Sequence, residues 1–432
     1  MGFIRSRSAV APLRRGVSAA PGRRTSVVQA VAQHRPEDPM LCLRPAVLKD
    51  TAGRMVSSFA AATGGDVLYA VKCNPDPAVL RALWDGGVRH FDVASLGEVR
   101  LVRQMFPDAV LHFMHPVKSR QAIRSAYFQY GVRDFVLDSL EELGKILVET
   151  DDAPDLGLIV RLALPKGNAV YDLSGKFGAP EGEAVALLRA ARSLAPRVGV
   201  SFHVGSQMMD PSAYERALAL AARVIDEADV TVDIVDVGGG FPVSYPDVTP
   251  PPLGDFMAAI ARGLAAMKLP ARTRVWCEPG RALVAAGVSL VVQVMRRKGG
   301  VLSINDGVYG TLSDAGVPGF RFPARLVRPF HGESDAPTAA FSFYGPTCDS
   351  ADYMAGPFFL PADVREGDWI ELGQLGAYGA CLRTAFNGFD QVRLVEVFDP
   401  PLLETPGHGA GYPNGDTPNG DTTDAGASVR VA

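Results

Sequence analysis

The sequence predicts an α/β fold, a (β/α)8 barrel followed by a C-terminal all-β domain. Three observations carry this. Eight short apolar, β-branched runs recur between Val67 and Cys277. Helix-like stretches, with apolar residues three and four apart, fill most of the gaps between them. After Arg281 strand-like runs continue, but long helical patterns stop.

The eight runs are 67–71, 90–94, 110–114, 134–137, 158–162, 198–203, 232–237 and 274–277. Helical spacing is clearest at 77–84, 96–106, 139–148, 184–194 and 213–225. Strand–helix alternation implies parallel strands. Eight units in about 215 residues suit a closed barrel, which typically takes roughly 250. A doubly wound open sheet shares the same periodicity. Beyond the barrel, 288–295, 301–304, 320–327, 340–343, 369–372 and 392–398 read as strands of an all-β domain. The segment 40–48 adds a strand to it from ahead of the barrel.

Composition sets the boundaries. At 432 residues, 47% hydrophobic and 21% charged, the chain has material for two globular domains. A net charge of -4 gives no reason to expect a nucleic-acid or membrane-surface partner. Five cysteines without framework spacing point to a reducing, cytoplasmic setting rather than a disulfide scaffold, and no metal-ligand spacing is present. No apolar run approaches the roughly 20 residues of a membrane span.

Both ends are expected to lie outside the fold. Residues 1–35 carry several Arg and Ser but no Asp or Glu, and read as a disordered leader or a transit peptide. Residues 403–432 hold a near repeat of Pro-Asn-Gly-Asp-Thr and read as a disordered tail. The expected division is therefore leader 1–35, strand 36–46, barrel 47–285, β domain 286–402 and tail 403–432.

Polar residues gather just past the strand runs. Lys72 follows the first, Asp92 and Ser95 close the second, His115 and Lys118 follow the third, and Arg161 lies in the fifth. His203-Val204-Gly205-Ser206 ends the sixth, Gly238-Gly239-Gly240 the seventh, and Glu278-Pro279-Gly280-Arg281 the eighth. Singly each has a plain reading: a solvated lysine, a core histidine, a glycine turn. Together they fall at the C-terminal strand ends, where barrel active sites form. The glycines let backbone N–H groups approach an anion, with Ser206 and Arg281 as further donors. A lysine able to form a Schiff base beside a phosphate cradle suggests pyridoxal 5'-phosphate (PLP).

Six ordered motifs give this a family. They are Tyr69-Ala70-Val71-Lys72-Cys73-Asn74, Phe91-Asp92-Val93-Ala94-Ser95, His203-Val204-Gly205-Ser206, Asp236-Val237-Gly238-Gly239-Gly240-Phe241-Pro242, Glu278-Pro279-Gly280-Arg281 and Gly345-Pro346-Thr347-Cys348-Asp349. The set closely resembles the fold-type III PLP-dependent decarboxylases, above all the ornithine and lysine/ornithine branch, over about 41–400.

The resemblance implies a PLP-binding barrel of the alanine racemase type and a homodimer with shared active sites. It makes Lys72 the cofactor's lysine, with its pKa lowered by burial and nearby cationic character. It makes Glu278 the partner of the pyridine nitrogen and His203 the imidazole stacked on the ring. Ser206, Gly238, Gly239, Gly240, Pro279, Gly280, Arg281 and Tyr378 match the phosphate-binding region. Asp92, Glu98 and Arg161 match supporting groups. Cys348 matches the proton donor, reaching the partner's site with Asp349. The Gly- and Lys-rich stretch 165–178 matches a mobile loop over the site.

The same resemblance implies decarboxylation of L-ornithine to putrescine and CO2 in polyamine biosynthesis. Asp349, with Tyr309 and Asp352 nearby, would take the distal ammonium. A charged hydrogen bond of that kind is worth about 1.5–3 kcal/mol, roughly 10- to 150-fold. One departure stands out. Relatives place a Tyr-Asp pair shortly after Asn-Asp-Gly-Val-Tyr-Gly, but here Asn305–Gly310 leads to Val317-Pro318-Gly319, and Asp314 comes too early to match. Lysine, or both amino acids, therefore stays open as substrate. Diaminopimelate decarboxylase, a racemase and a non-catalytic regulatory homologue are the more distant readings.

Overall fold

The computed structural model describes residues 14–15, 25–165 and 175–407. Strands β3 (Asp66–Ala70), β4 (His90–Val93), β5 (Val110–Phe113), β6 (Asp134–Leu137), β7 (Gly157–Arg161), β8 (Arg197–Ser201), β9 (Ile234–Asp236) and β10 (Arg274–Cys277) close a barrel. All eight pairings are parallel, with β10 returning to β3 through Trp276 opposite Asp66. The open-sheet alternative is thereby excluded.

Helices α3 (Pro77–Asp85), α4 (Leu96–Met105), α5 (Arg120–Phe128), α6 (Leu140–Glu149), α7 (Glu181–Leu194), α8 (Ser212–Ala228) and α9 (Leu253–Ala266) follow strands. Their starts are written locally. The side chains of Asp76, Ser95, Ser119 and Ser139 accept a backbone N–H in the first turn of α3, α4, α5 and α6. Ser95 is thus a helix cap. Apolar faces of these helices pack on the outward faces of the strands in one large core. Inside the barrel, Leu68, Met114, Val136, Ile159, Ile234 and Trp276 form a smaller cluster. Beside it lies a polar floor: His112 contacts His90 at 3.0 Å and Asp134 at 3.1 Å, and Asp134 pairs with Arg197 at 2.8 Å.

The short helix α10 (Arg281–Val284) leads out of the barrel into the second sheet. That sheet runs β1 (Arg14–Arg15), β17 (Arg393–Glu396), β2 (Met40–Leu43), β11 (Val288–Lys298), β12 (Val301–Ile304), β14 (Thr338–Tyr344) and β15 (Tyr353–Pro361). Strand β16 (Trp369–Leu372) pairs with both β11 and β13 (Ala324–Val327). Because β2 lies antiparallel to β11, the barrel is inserted between two strands of one sheet.

The ends differ from expectation. Far from being disordered, residues 27–34 form helix α1 (Val27–His34), started by a reciprocal capping box between Ser26 and Gln29. Val27, Ala30 and Val31 are buried against Met40, Cys42, Val291, Val327 and Val397. The strand expected at 36–46 is shorter, because helix α2 (Pro45–Thr63) begins with proline in its first turn. At the far end the chain stays packed past 403: Thr405 is buried and its hydroxyl accepts the Ala324 N–H. Most of the leader and residues 408–432 lie outside the described residues, as does the core of the expected loop, 166–174.

Strand β15 was not foreseen. Gly356 and Pro357 interrupt its pattern, but it pairs only with β14, on an edge where a missing donor is tolerated. Conversely, 320–323 is not strand; Pro323 precedes the first residue of β13.

Candidate active site

Most barrel strands deliver a polar residue to the C-terminal mouth. Lys72 sits in a 3-10 turn (Val71–Cys73) directly after β3, and its Nζ donates to Asp92 Oδ2 at 2.6 Å. Its side chain is 44 % accessible because it opens into a cavity. The expected lowering of its pKa does not hold. Burial does lower it, but the Asp92 and Glu278 carboxylates outweigh burial and hold the ammonium well above its usual value.

Around Lys72 the mouth is acidic. Burial first, then the neighbouring Asp236 and Asp92 anions, push the Glu278 carboxyl far up. Asp236, likewise buried, is raised to about 6. Glu98, raised by burial to about 7, accepts the Ala94 N–H at 2.7 Å. Two buried carboxylate oxygens, Asp92 Oδ1 and Asp236 Oδ2, have no hydrogen-bond partner. Such groups are costly unless a cation or donor meets them.

His203 follows β8. Its Nδ1 accepts the Gly205 N–H at 3.0 Å, which fixes the proton of the neutral ring on Nε2. Burial, Arg161 and Lys72 lower its pKa to about 3, so the imidazole is uncharged at neutral pH.

After β9 the chain turns through Gly238 (φ 69°) and Gly240 (φ 104°). A Cβ at Gly238 would lie 2.0 Å from the Phe202 carbonyl oxygen, and one at Gly240 2.4 Å from that of Gly205. No side chain fits at either position. Gly239 accepts the Tyr214 hydroxyl on its carbonyl at 2.8 Å. The Pro279 carbonyl takes the Ala70 N–H at 3.3 Å, tying the end of β10 to that of β3.

Arg281 closes this corner. Its Nη1 donates to the Tyr245 hydroxyl and its Nη2 to Asp314 Oδ2, both at 2.9 Å, while its Nε is buried without a partner. The Tyr378 ring lies 5.1 Å from the guanidinium carbon. Tyr378 itself has a left-handed backbone (φ 51°), and its N–H donates to the Cys73 carbonyl.

Lys72, Arg161, His203, Ser206, Gly240, Glu278, Gly280, Arg281 and Tyr378 line one cavity of ≈ 400 Å³. A larger hollow of ≈ 540 Å³ lies against β13 and carries none of these residues. Sequence reasoning missed Asp314 and Tyr245 here. Their only sequence signal is a carboxylate and a phenol in loops, and pairing across 33 and 36 residues is invisible without the fold.

Cys348, Asp349 and Tyr309 are not brought to the cavity. Cys348 is exposed in the loop after β14, and its N–H donates to Asn387 Oδ1 at 3.1 Å. The neighbouring Asp349 accepts the Ala351 N–H and the Tyr309 hydroxyl, which hold its carboxyl below the usual range. All three sit on the β domain and line no part of the cavity.

Asp352 requires a correction. Only 1% accessible, it accepts the Val308 N–H at 2.8 Å, the Thr347 N–H at 3.1 Å and the Thr347 hydroxyl at 2.8 Å. Both oxygens are spent on holding its own loop, so none is left for a substrate amine.

The donor set fits PLP. The buried Glu278 carboxyl, which lines the cavity, would answer a protonated ring nitrogen, and the glycine turn with the partnerless Arg281 Nε suits a phosphate. The cavity volume falls within the ordinary range of cofactor pockets, about 300–1,000 Å³.

Comparison with known proteins agrees. Residues 48–285 match the family described as pyridoxal-dependent decarboxylase, pyridoxal binding domain. The lysine/ornithine decarboxylase of Selenomonas ruminantium is 34% identical, across 75% of this chain and 81% of that protein. The ornithine decarboxylase of Schizosaccharomyces pombe is 33% identical, across 76% of each. Among solved structures, the arginine decarboxylase of Paramecium bursaria Chlorella virus superposes with a TM-score of 0.74 at 28% identity, covering 85% of this chain and 98% of that one.

Proposed function

The chain belongs to the pyridoxal-dependent decarboxylases, and on that premise we propose that it converts L-ornithine to putrescine and CO2. The cofactor supplies an electron sink for the charge left on the α-carbon when CO2 departs. Lys72 would hold it, with Asp92 keeping the amine oriented. Glu278, supported by Asp236, would meet the ring nitrogen, and the neutral His203 imidazole would lie against the ring. The glycine turn, Ser206, Gly280, Arg281 and Tyr378 would bind the phosphate. The common cavity that most of these residues line is consistent with these roles.

Cys348 returns the proton to the α-carbon, and Asp349 takes the distal ammonium. The observation that carries this reading is their place: adjacent, with Cys348 exposed and Asp349 half-buried, on a face of the β domain outside the cavity of their own chain. They act on the cavity of a second copy, and the active form is a homodimer. Asp349, with Tyr309 bonded to it, is a carboxylate suited to an amine.

A second reading has its own support. Asp314 is committed to Arg281 and Asp352 to its loop, so neither is free to fix substrate length. L-Lysine is the substrate that such a pocket would also admit. Decarboxylation of L-ornithine, L-lysine, L-arginine and meso-diaminopimelate, measured side by side with product identification, tests both. Putrescine as the main product supports the ornithine reading, and cadaverine as the main product replaces it with lysine. Release of CO2 from none of the four refutes both.

A further inference from the structure

A guanidinium as buried as Arg281, 5 % accessible, needs a compensating anion. The β domain supplies one. Asp314, in a 3-10 turn (Ser313–Ala315), meets Nη2 at 2.9 Å. The residues around it lock the arrangement. The Ser313 hydroxyl donates to the Tyr378 carbonyl at 3.2 Å, and the Phe320 ring lies 4.9 Å from the guanidinium carbon. With Nη1 on Tyr245, Nε is the one guanidinium nitrogen that makes no hydrogen bond. The reaction uses neither Asp314 nor the charge that it carries.

We propose that Asp314 is a resident counter-anion that competes with the cofactor phosphate for Arg281 and so limits how tightly the cofactor is held. This rests on the reading of Arg281 as a phosphate anchor. When the phosphate binds, two anions share one cation in a wall where water screens little, and their repulsion opposes binding. Before it binds, the same carboxylate compensates and orients Arg281, which would otherwise be a buried unpaired charge. Asp314 is therefore a positioning residue: it acts through Arg281, favouring the cofactor-free protein and disfavouring the loaded one.

Asp314→Asn tests this, because it keeps an oxygen acceptor for Nη2 and removes the charge. Affinities of the cofactor-stripped full chain for PLP and for unphosphorylated pyridoxal are measured by equilibrium dialysis, alongside thermal unfolding. The expected result is a several-fold tighter PLP affinity, unchanged pyridoxal affinity, a lower unfolding temperature without cofactor and a larger PLP-induced rise. Asp314→Ser serves if the first variant does not fold. PLP affinity that stays the same or weakens overturns the proposal. So do equal changes for both ligands, which mean a packing role. Arg281→Met separates the premise: it should reduce the preference for PLP over pyridoxal by at least about tenfold, the other phosphate donors remaining in place. If that preference is unchanged, the anchor reading falls, and this inference with it. If it is reduced while the Asp314 variants do not tighten, the inference alone falls.

Discussion

Lys72 Nζ and Asp92 Oδ2 stand 2.6 Å apart, across neighbouring barrel strands that pair Ala70 with Asp92. The pair makes the lysine more basic, although burial acts the other way. A lysine that must attack a carbonyl is here kept as an oriented ammonium, with a carboxylate beside it to accept the proton.

Asp92→Asn should lower the Lys72 pKa, since it removes the strongest charge raising it. The acid limb of cofactor capture, where protonation of the amine blocks it, should move to lower pH when followed by the absorbance of the bound cofactor. Activity should fall on the order of 100- to 10,000-fold, as for loss of a group that assists proton transfer. An unmoved limb would show that the contact does not govern the amine.

Glu278→Gln keeps the shape of the buried side chain but cannot take up the charge of a ring nitrogen. We expect kcat to drop by roughly two orders of magnitude with KM changed little, the pattern of an interaction needed mainly in the transition state. Steady-state kinetics on the preferred amino acid decides it. A change confined to KM would place Glu278 in substrate binding instead.

Mixing two inactive variants, Lys72→Ala and Cys348→Ala, should restore activity. Random exchange makes half of the dimers mixed, each with one intact site of two, so recovery should approach about one quarter of wild type. No recovery after confirmed subunit exchange would mean that the two residues serve the same chain's site, against their separation in the fold.

Asp349→Ala should raise KM for the diamino acid by roughly 10- to 150-fold, the worth of one charged hydrogen bond. L-Norleucine, which has no distal amine, should lose no activity in this variant. Equal losses on both substrates would assign Asp349 to the loop rather than to the amine.

His90 gives a prediction about stability. Burial and the adjacent His112 lower its pKa from 6.5 to about 4, so the unfolded chain binds that proton first. The stability it contributes is complete above about pH 6.5 and is lost as pH falls toward 4. His203 acts with the same sign, whereas Asp236 and Glu98, raised acids, act with the opposite one. The difference between proteins isolates the effect: from pH 6.5 to 4, His90→Gln should gain on wild type by on the order of 1 kcal/mol per pH unit. Denaturant unfolding at several pH values measures it, and parallel curves would refute it.

The sequence determined the barrel because the signals are local. Strand runs such as 134–137 and 274–277 match the observed strands to the residue, and Ser119 and Ser139 start helices through bonds three residues away. It also placed Lys72, His203, Gly240, Glu278 and Arg281 at strand ends, and barrel closure then gathers every strand end at one mouth. Helix α1 was legible too, in Ser26 and Gln29, but the arginine-rich composition around it masked the cap.

Only the tertiary structure decided the partners of those residues. Asp314 reaches Arg281, Asp352 is consumed by Val308 and Thr347, and Cys348 lies outside the cavity of its own chain. Each depends on where the β domain returns against the barrel. A carboxylate in a sequence has the same chemistry wherever it lies, but its charge, partners and role are fixed by neighbours tens of residues away. For Lys72 that means the opposite sign: burial and cationic neighbours imply a lowered pKa, but Asp92 and Glu278, brought in by β4 and β10, raise it.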